Sequence, residues 1–267
     1  MIKCFHEAPK CMFKLVQKHT DGDYALVHLF EEDLEYYTMF RQAVVDGREV
    51  ILDNSVFELG EAFDSERFAW WVGRLEPTWY IVPDVLEDGP ATCKRFFEFI
   101  EQYPELPGKR IGVAQGKDID ELIECYKTIE PHCDMVAISF DCSWYRDWST
   151  LDNKWEQLCV GRQRVLWHMY EKGIINIDKP HHLLGVALPQ EMKIYKDLQR
   201  LGAYNWIYSV DTSNPIVHGI KGIEYEERGL DDKESQKLYT LINEYVPVDA
   251  RVSAIYNVQM FRRFTNG

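Results

Sequence analysis

The chain lacks a CxxC pair, a GxGxxG or GxxxxGK[ST] loop after any strand-like run, and any uninterrupted apolar stretch near ~20 residues. Each absence removes a class of function. Seven cysteines (4, 11, 93, 125, 133, 142 and 159) form an odd set without close spacing. Neither a disulfide framework nor a structural zinc site is expected from them, and they read as reduced thiols, mostly buried as small hydrophobes. The opening MIKCFHEAPKCMFKLVQKHTDGD scatters its charges and has no apolar h-region. Secretion and membrane spanning are therefore not expected, and a cytoplasmic location is. A basic excess is missing too: 30 Lys and Arg face 44 Asp and Glu, a net charge of −14. That balance argues against a broad nucleic-acid face. Lys154, Arg162, Arg164 and Lys172 could form a local basic patch, but the solvated face of a helix is the stronger reading of them.

Apolar residues make up 46% of the 267 positions, enough for a sizeable core, and no Pro-, Gly- or Ser-rich linker divides the chain. One domain over residues 1–267 is expected. Short strand-like runs fall at 24–30, 49–54, 79–85, 110–116, 134–141, 182–188 and 206–211, with a weak eighth at 222–227. Helical patterns lie between them at 31–47, 64–75, 90–103, 118–129, 153–173 and 190–202. Asp64 and Asp118 read as N-caps, and Gly173 and Gly202 as C-terminal stops. Nearly continuous apolar strands joined by crossover helices imply a parallel sheet covered on both sides. Seven or eight such units in this length predict an α/β fold of the (β/α)8 TIM-barrel type, with an open doubly wound sheet as the alternative. Residues 142–155, CSWYRDWSTLDNKW, exceed an ordinary strand-to-helix loop. They read equally as a lid over the catalytic face or as a surface excursion pinned by its own aromatics.

The strand ends carry the chemistry. Asp53, Asp84, Gln115 with Gly116, Ser139 with Asp141, Gly185 with Val186, and Ser209 with Asp211 close successive strands. In a barrel these ends converge on one mouth. Any one carboxylate there could simply cap the next helix, but four with an amide are harder to dismiss. Such a set suits an oxygen-ligand Mg²⁺ site, or substitution at a sugar anomeric carbon, where one carboxylate faces the oxocarbenium-like centre and another moves a proton. A further Asp and a Gln could read a nucleobase edge.

Four motifs in order add a resemblance. LDNSVFE (52–58) resembles the LDSGGFQ segment of the tRNA-guanine transglycosylases, and GVAQGKDIDEL (112–122) resembles their GIVQGG segment. HLLGVALPQEM (182–192) is similar to their YLMGVGxPEDL, and WIYSVDTSNP (206–215) occupies the place of their FDCVxPTR. The match spans roughly residues 50–215, and the shorter relatives that modify DNA with 7-deazaguanine, often found in phages, are closest in size. The resemblance implies a (β/α)8 barrel and a transferase (a pentosyltransferase) that exchanges guanine for a 7-deazaguanine base at an N-glycosidic bond. It implies DNA as the acceptor rather than tRNA, because the cysteine-rich zinc segment of the tRNA enzymes is missing. It implies no cofactor and no metal, a homo-oligomer as one option, and the host cytoplasm if the chain is phage-encoded. By position it makes Asp53 the acid/base, Asp84 and Gln115 base readers with Gly116 beside them, Gly185 a backbone contact and Phe57 a stacking surface. The nucleophile falls on Tyr208 by strict register, and Asp211 at the strand end is taken instead, with Asp141 in reserve and Ser209 nearby.

Two alternatives remain open beside it: a base-exchange or hydrolase enzyme for small nucleosides or nucleotides, which the acidity favours, and a non-catalytic binding barrel. His181 and His182 lead a strand and are expected to stabilise the barrel bottom, while His168 reads as an ordinary mid-helix residue. Trp70 and Trp71 read as core and helix packing.

Overall fold

Eight parallel strands close into a barrel in sequence order in the computed structural model, which describes residues 1–234 and 236–267. They are β1 (Lys3–His6), β2 (Gly22–Leu26), β3 (Glu49–Asp53), β4 (Trp79–Ile81), β5 (Lys109–Ala114), β6 (Met135–Ser139), β7 (His181–Leu184) and β8 (Ile207–Asp211). Strand β1 seals the barrel by pairing Cys4 with Val210 and Phe5 with Asp211 of β8. The main helices are α1 (Leu34–Val45), α2 (Ser65–Leu75), α3 (Gly89–Gln102), α4 (Ile119–Ile129), α5 (Lys154–Glu171), α6 (Glu191–Arg200), α7 (Asn214–Ile220) and α8 (Val248–Asn266). The predicted (β/α)8 architecture is therefore the observed one.

Helix starts follow the capping chemistry. The Asp64 and Asp118 carboxylates accept from the Arg67 and Glu121 N–H groups, and Asn153 caps α5 in the same way. Gly173 and Gly202 follow the ends of α5 and α6 at positive φ, as a C-terminal stop requires.

Two assignments differ. The eighth strand is not 222–227, which contributes only an isolated bridge between Glu226 and Gly229. It is β1, a four-residue strand among charged neighbours whose alternation is too short to stand out in a sequence. The run at 24–30 also leaves the sheet after Leu26 and becomes a helical turn over Val27–Glu32.

Alternation fixes what enters the barrel. On β3, residues 49, 51 and 53 share one face, so Glu49 and Asp53 sit at opposite ends of the interior. At the bottom Glu49 accepts from Lys3 and from the Tyr208 hydroxyl, and Tyr208 packs on Trp79. Above this plug the Phe5 ring fills the space over Gly22, where a Cβ would lie 2.1 Å from it. The opposite end is open. Among the described residues no helix is long and apolar enough to cross a membrane.

Candidate active site

A cavity of about 270 Å³ opens at the C-terminal ends of the strands. Asp53, Asp84, Gln115, Asp141, Gly185, Asp211 and Phe57 all line it, so the predicted strand-end residues do converge. Gly116 and Ser209 do not line it. The Gly116 carbonyl accepts from the Trp144 indole, and a Cβ there would strike the backbone of Leu122 at 2.4 Å. Ser209 lies deeper in the barrel, bonded to His182.

Two carboxyl systems face each other across the floor. Asp53 accepts from the Tyr24 hydroxyl at 2.6 Å and from the Ser55 N–H. Asp211 accepts from the Gly185 N–H at 3.0 Å and lies 3.0 Å from His182 Nε2, while His182 Nδ1 lies 2.8 Å from Ser209 Oγ. The Tyr24 and His182 rings stack at 6.3 Å, only 12° from parallel, and so join the two systems. His182 thus has a task beyond the stability role read from its place early in a strand: its inward side chain reaches upward to the acid on the next strand.

The segment after β3 is devoted to holding Asp53. Ser55 is buried at φ +62°, a left-handed conformation unusual for a residue with a Cβ. Its Oγ lies 2.8 Å from His28 Nδ1 while its N–H meets Asp53. Asn54 accepts from the Val56 N–H and donates to Val82 O and to Asp84 Oδ1, the last at 2.8 Å. Asp84 Oδ2 accepts from Gln115 Nε2 at 2.8 Å, and Gln115 Oε1 accepts from the Glu87 N–H. Asn54, Asp84 and Gln115 therefore tie the ends of β3, β4 and β5 together.

Burial and crowding weaken the acids at the mouth and favour their protonated forms. Asp53 is pushed well above the usual carboxylate range, first by burial and then by Glu58, against the opposing bonds from Tyr24 and Ser55. Glu7 is raised in the same way by burial and by Glu58, Asp211 and Asp53. Burial lifts Glu58 to about 7, with Asp211 adding and Lys237 opposing. Asp84 is raised by burial, partly offset by its bonds from Asn54 and Gln115. Among the described residues no group of three or more His, Cys, Asp or Glu side chains is placed to hold a metal ion.

The rim is aromatic and cationic. Phe57 and Phe140 face each other at 6.1 Å, and Trp155 lines the same cavity. Gly185 sits at φ +62° beneath Phe140, where a Cβ would lie 2.4 Å from the ring. Lys237 donates to the Phe57 and Glu58 carbonyls, and Lys233 lies 4.0 Å over the Phe140 ring. Of the long 142–155 segment, residues 142–148 are pinned by buried Trp144 and Tyr145, while Trp155 reaches the mouth.

Glu7, Tyr24, Glu58, Lys233 and Lys237 are site residues that sequence reasoning missed. Tyr24 and Glu7 had a findable signal once β1 and β2 are placed: Tyr24 shares a face of β2 with Gly22, and Glu7 continues the alternation of Phe5 one residue past the end of β1. The lysines arrive from the connection between α7 and α8 and carry no periodic signal. Arg162 also departs from its expected solvated face. It is fully buried and paired with Glu191 at 2.7 Å. Trp71 is core as expected, whereas Trp70 is exposed beneath Arg67 and Arg74.

No family model and no curated protein matches the sequence. Solved structures similar to the chain include an enolase protein from environmental sequencing of the Sargasso Sea (10% identity, TM-score 0.44, covering 79% of this chain and 54% of that one). Another is an enolase of the mandelate racemase subgroup from Agrobacterium tumefaciens (12%, 0.44, 79% and 55%). A third is a methylaspartate ammonia lyase from Clostridium tetanomorphum (13%, 0.45, 79% and 53%). The chain spans about half the length of each. The transglycosylase resemblance finds no support among these comparisons and is withdrawn. The structures found are described as enolases and lyases, and no family or curated sequence supports the four motifs. The expectations of a pentosyltransferase, of guanine exchange for 7-deazaguanine, of DNA modification and of phage origin are withdrawn with it. The strict motif register also fails physically, because it places the nucleophile on Tyr208, which belongs to the bottom plug.

Proposed function

We propose that this chain is an enzyme that hydrolyses an N-glycosidic bond in a small nucleoside-like molecule held at the barrel mouth. The observation that carries the reading is the pair of carboxyl systems, Asp53–Tyr24 and Asp211–His182, joined by one ring stack on the floor of one cavity. Hydrolysis at an anomeric carbon needs two such groups with different tasks. Asp53, raised toward its protonated form by burial and by Glu58, is suited to protonate the departing base. Asp211, turned by the Gly185 N–H and His182, is suited to face the anomeric carbon or its attacking water. Phe57, Phe140 and Trp155 offer flat apolar surfaces to a planar base. The crowd of acids disfavours phosphate, so an uncharged nucleoside fits better than a nucleotide or a nucleic-acid strand.

The test is base release from a panel of ribo- and deoxyribonucleosides, followed by chromatography of the free base. Release that is lost in both Asp53→Asn and Asp211→Asn is expected. A panel with no release, or release unaffected by both changes, would sink the reading.

A further inference from the structure

The hydrolytic reading leaves one reactive group at the mouth without a task. Lys233 lines the cavity with its Nζ 4.0 Å over the Phe140 ring and 5.1 Å from the Trp155 ring. Its backbone is fixed from several sides. Asn153 Nδ2 donates to the Asp231 carbonyl, the Trp155 indole donates to the Asp232 carboxylate, and the Lys233 N–H meets that same carboxylate. Three residues earlier, Leu230 is held through both its N–H and its carbonyl by the Gln190 side-chain amide. The acids flanking Lys233 in sequence are engaged elsewhere: Asp231 with Arg228, Asp232 with Trp155, and Glu234 with Lys221. The amine is thus directed over aromatic carbon at the cavity wall.

We propose that Lys233 is a nucleophilic amine that captures an uncharged aldehyde or ketone from this cavity as a Schiff base. The geometry supplies both halves of the step. The Lys233 nitrogen adds to the carbonyl carbon and passes one of its own protons to the carbonyl oxygen, giving a carbinolamine. A carboxyl group then protonates that hydroxyl, the C–O bond breaks, and water leaves as the nitrogen lone pair forms the C=N bond. The nitrogen proton returns to a carboxylate, so amine and carbonyl give imine and one water, with no oxidant or reductant. Glu58 and Asp53, both raised toward the protonated form, line the same cavity and can supply the proton.

Burial lowers the Lys233 ammonium to about 8, which leaves a useful fraction of free amine at neutral pH. Glu7, Asp53, Asp84 and Asp211 line the cavity, where crowding already disfavours negative charge, and a carboxylate or phosphate would add to it, so the carbonyl compound is uncharged. Lys237 is a built-in contrast: it shares the connection but spends its donors on the Phe57 and Glu58 carbonyls.

The inference goes beyond the hydrolase reading and is tested without a nucleoside. The full chain is incubated at pH 7 with glyceraldehyde, and separately with benzaldehyde, in the presence of cyanoborohydride, and the adducts are located by peptide mass mapping. Labelling of Lys233 is expected to outrun that of exposed Lys94 and Lys117 by ~10-fold or more, the neutral-amine advantage reduced by lower basicity. Lys237 stays unlabelled, and Lys233→Arg removes the fast phase alone. Glyoxylate, an anionic aldehyde, gives no fast phase. Labelling of Lys233 no faster than of Lys94, or equal fast labelling by glyoxylate, overturns the proposal whatever the nucleoside panel shows.

Discussion

Two buried charge clusters lie close together in this barrel and behave in opposite ways. Arg162 and Glu191 are both fully buried, and Arg162 satisfies its remaining donors on the carbonyls of Ile138, Leu184 and Gly185. Tyr195 adds a bond to the same Glu191 oxygen. Every charge there has an opposite partner. At the mouth Glu7, Asp53, Glu58 and Asp211 crowd together, and the nearby cations sit at the rim. The first cluster is compensated and belongs to the scaffold. The second stores repulsion that only proton uptake or a ligand relieves, which is the signature expected of a working site.

The contrast is broken most severely by removing one half of the compensated pair. Arg162→Met leaves Glu191 buried alone and is expected to destabilise the fold by ~3–5 kcal/mol in denaturant unfolding, with much of that recovered in the double variant Arg162→Met/Glu191→Leu. Asp53→Asn makes the opposite change. Base release should fall by ~100-fold or more while stability moves by less than about 1 kcal/mol, because an acid already raised toward its neutral form is replaced by a neutral amide of the same shape.

The pH profile sharpens the comparison further. Glu58 holds its proton in the folded state up to about 7, against an ordinary value of 4.5. The folded state therefore binds the proton more tightly than the unfolded chain, and stability falls as pH rises from about 4.5 to about 7. Glu58→Gln should flatten melting temperature across that window, and an unchanged slope would mean the crowding is relieved elsewhere. The smallest effect is expected at Ser55→Gly. Relief of the left-handed strain and loss of the His28 bond oppose each other, for a net change within ~1 kcal/mol.

Much of this was legible in the sequence, for physical reasons. Parallel strands buried on both faces read as apolar runs, so seven of the eight were visible; β1 (KCFH) escaped because charged and polar neighbours interrupt it, whereas β4 and β7 sit in longer apolar runs. Asp53 and Asp211 could be placed at the mouth because a strand's last residue has nowhere else to go. Their partners could not. Tyr24 and His182 reach them across strands, a relation set by barrel closure and register rather than by local pattern. Arg162 looked like one more charge on a helix, since nothing within α5 announces that Glu191 waits on α6. Motif order misled where periodicity did not, because short glycine and aspartate patterns recur at any strand-to-helix turn.

The Asn54–Asp84–Gln115 chain has a mechanical consequence. It clamps three neighbouring strand ends by side-chain bonds of 2.8 Å, so that sector of the mouth is a rigid jaw. The segment that carries Lys233 is held instead by side chains outside the sheet, Gln190 on Leu230, Asn153 on Asp231 and Trp155 on Asp232. Loss of those outer contacts would loosen the lysine side of the mouth and leave the three clamped strand ends in register.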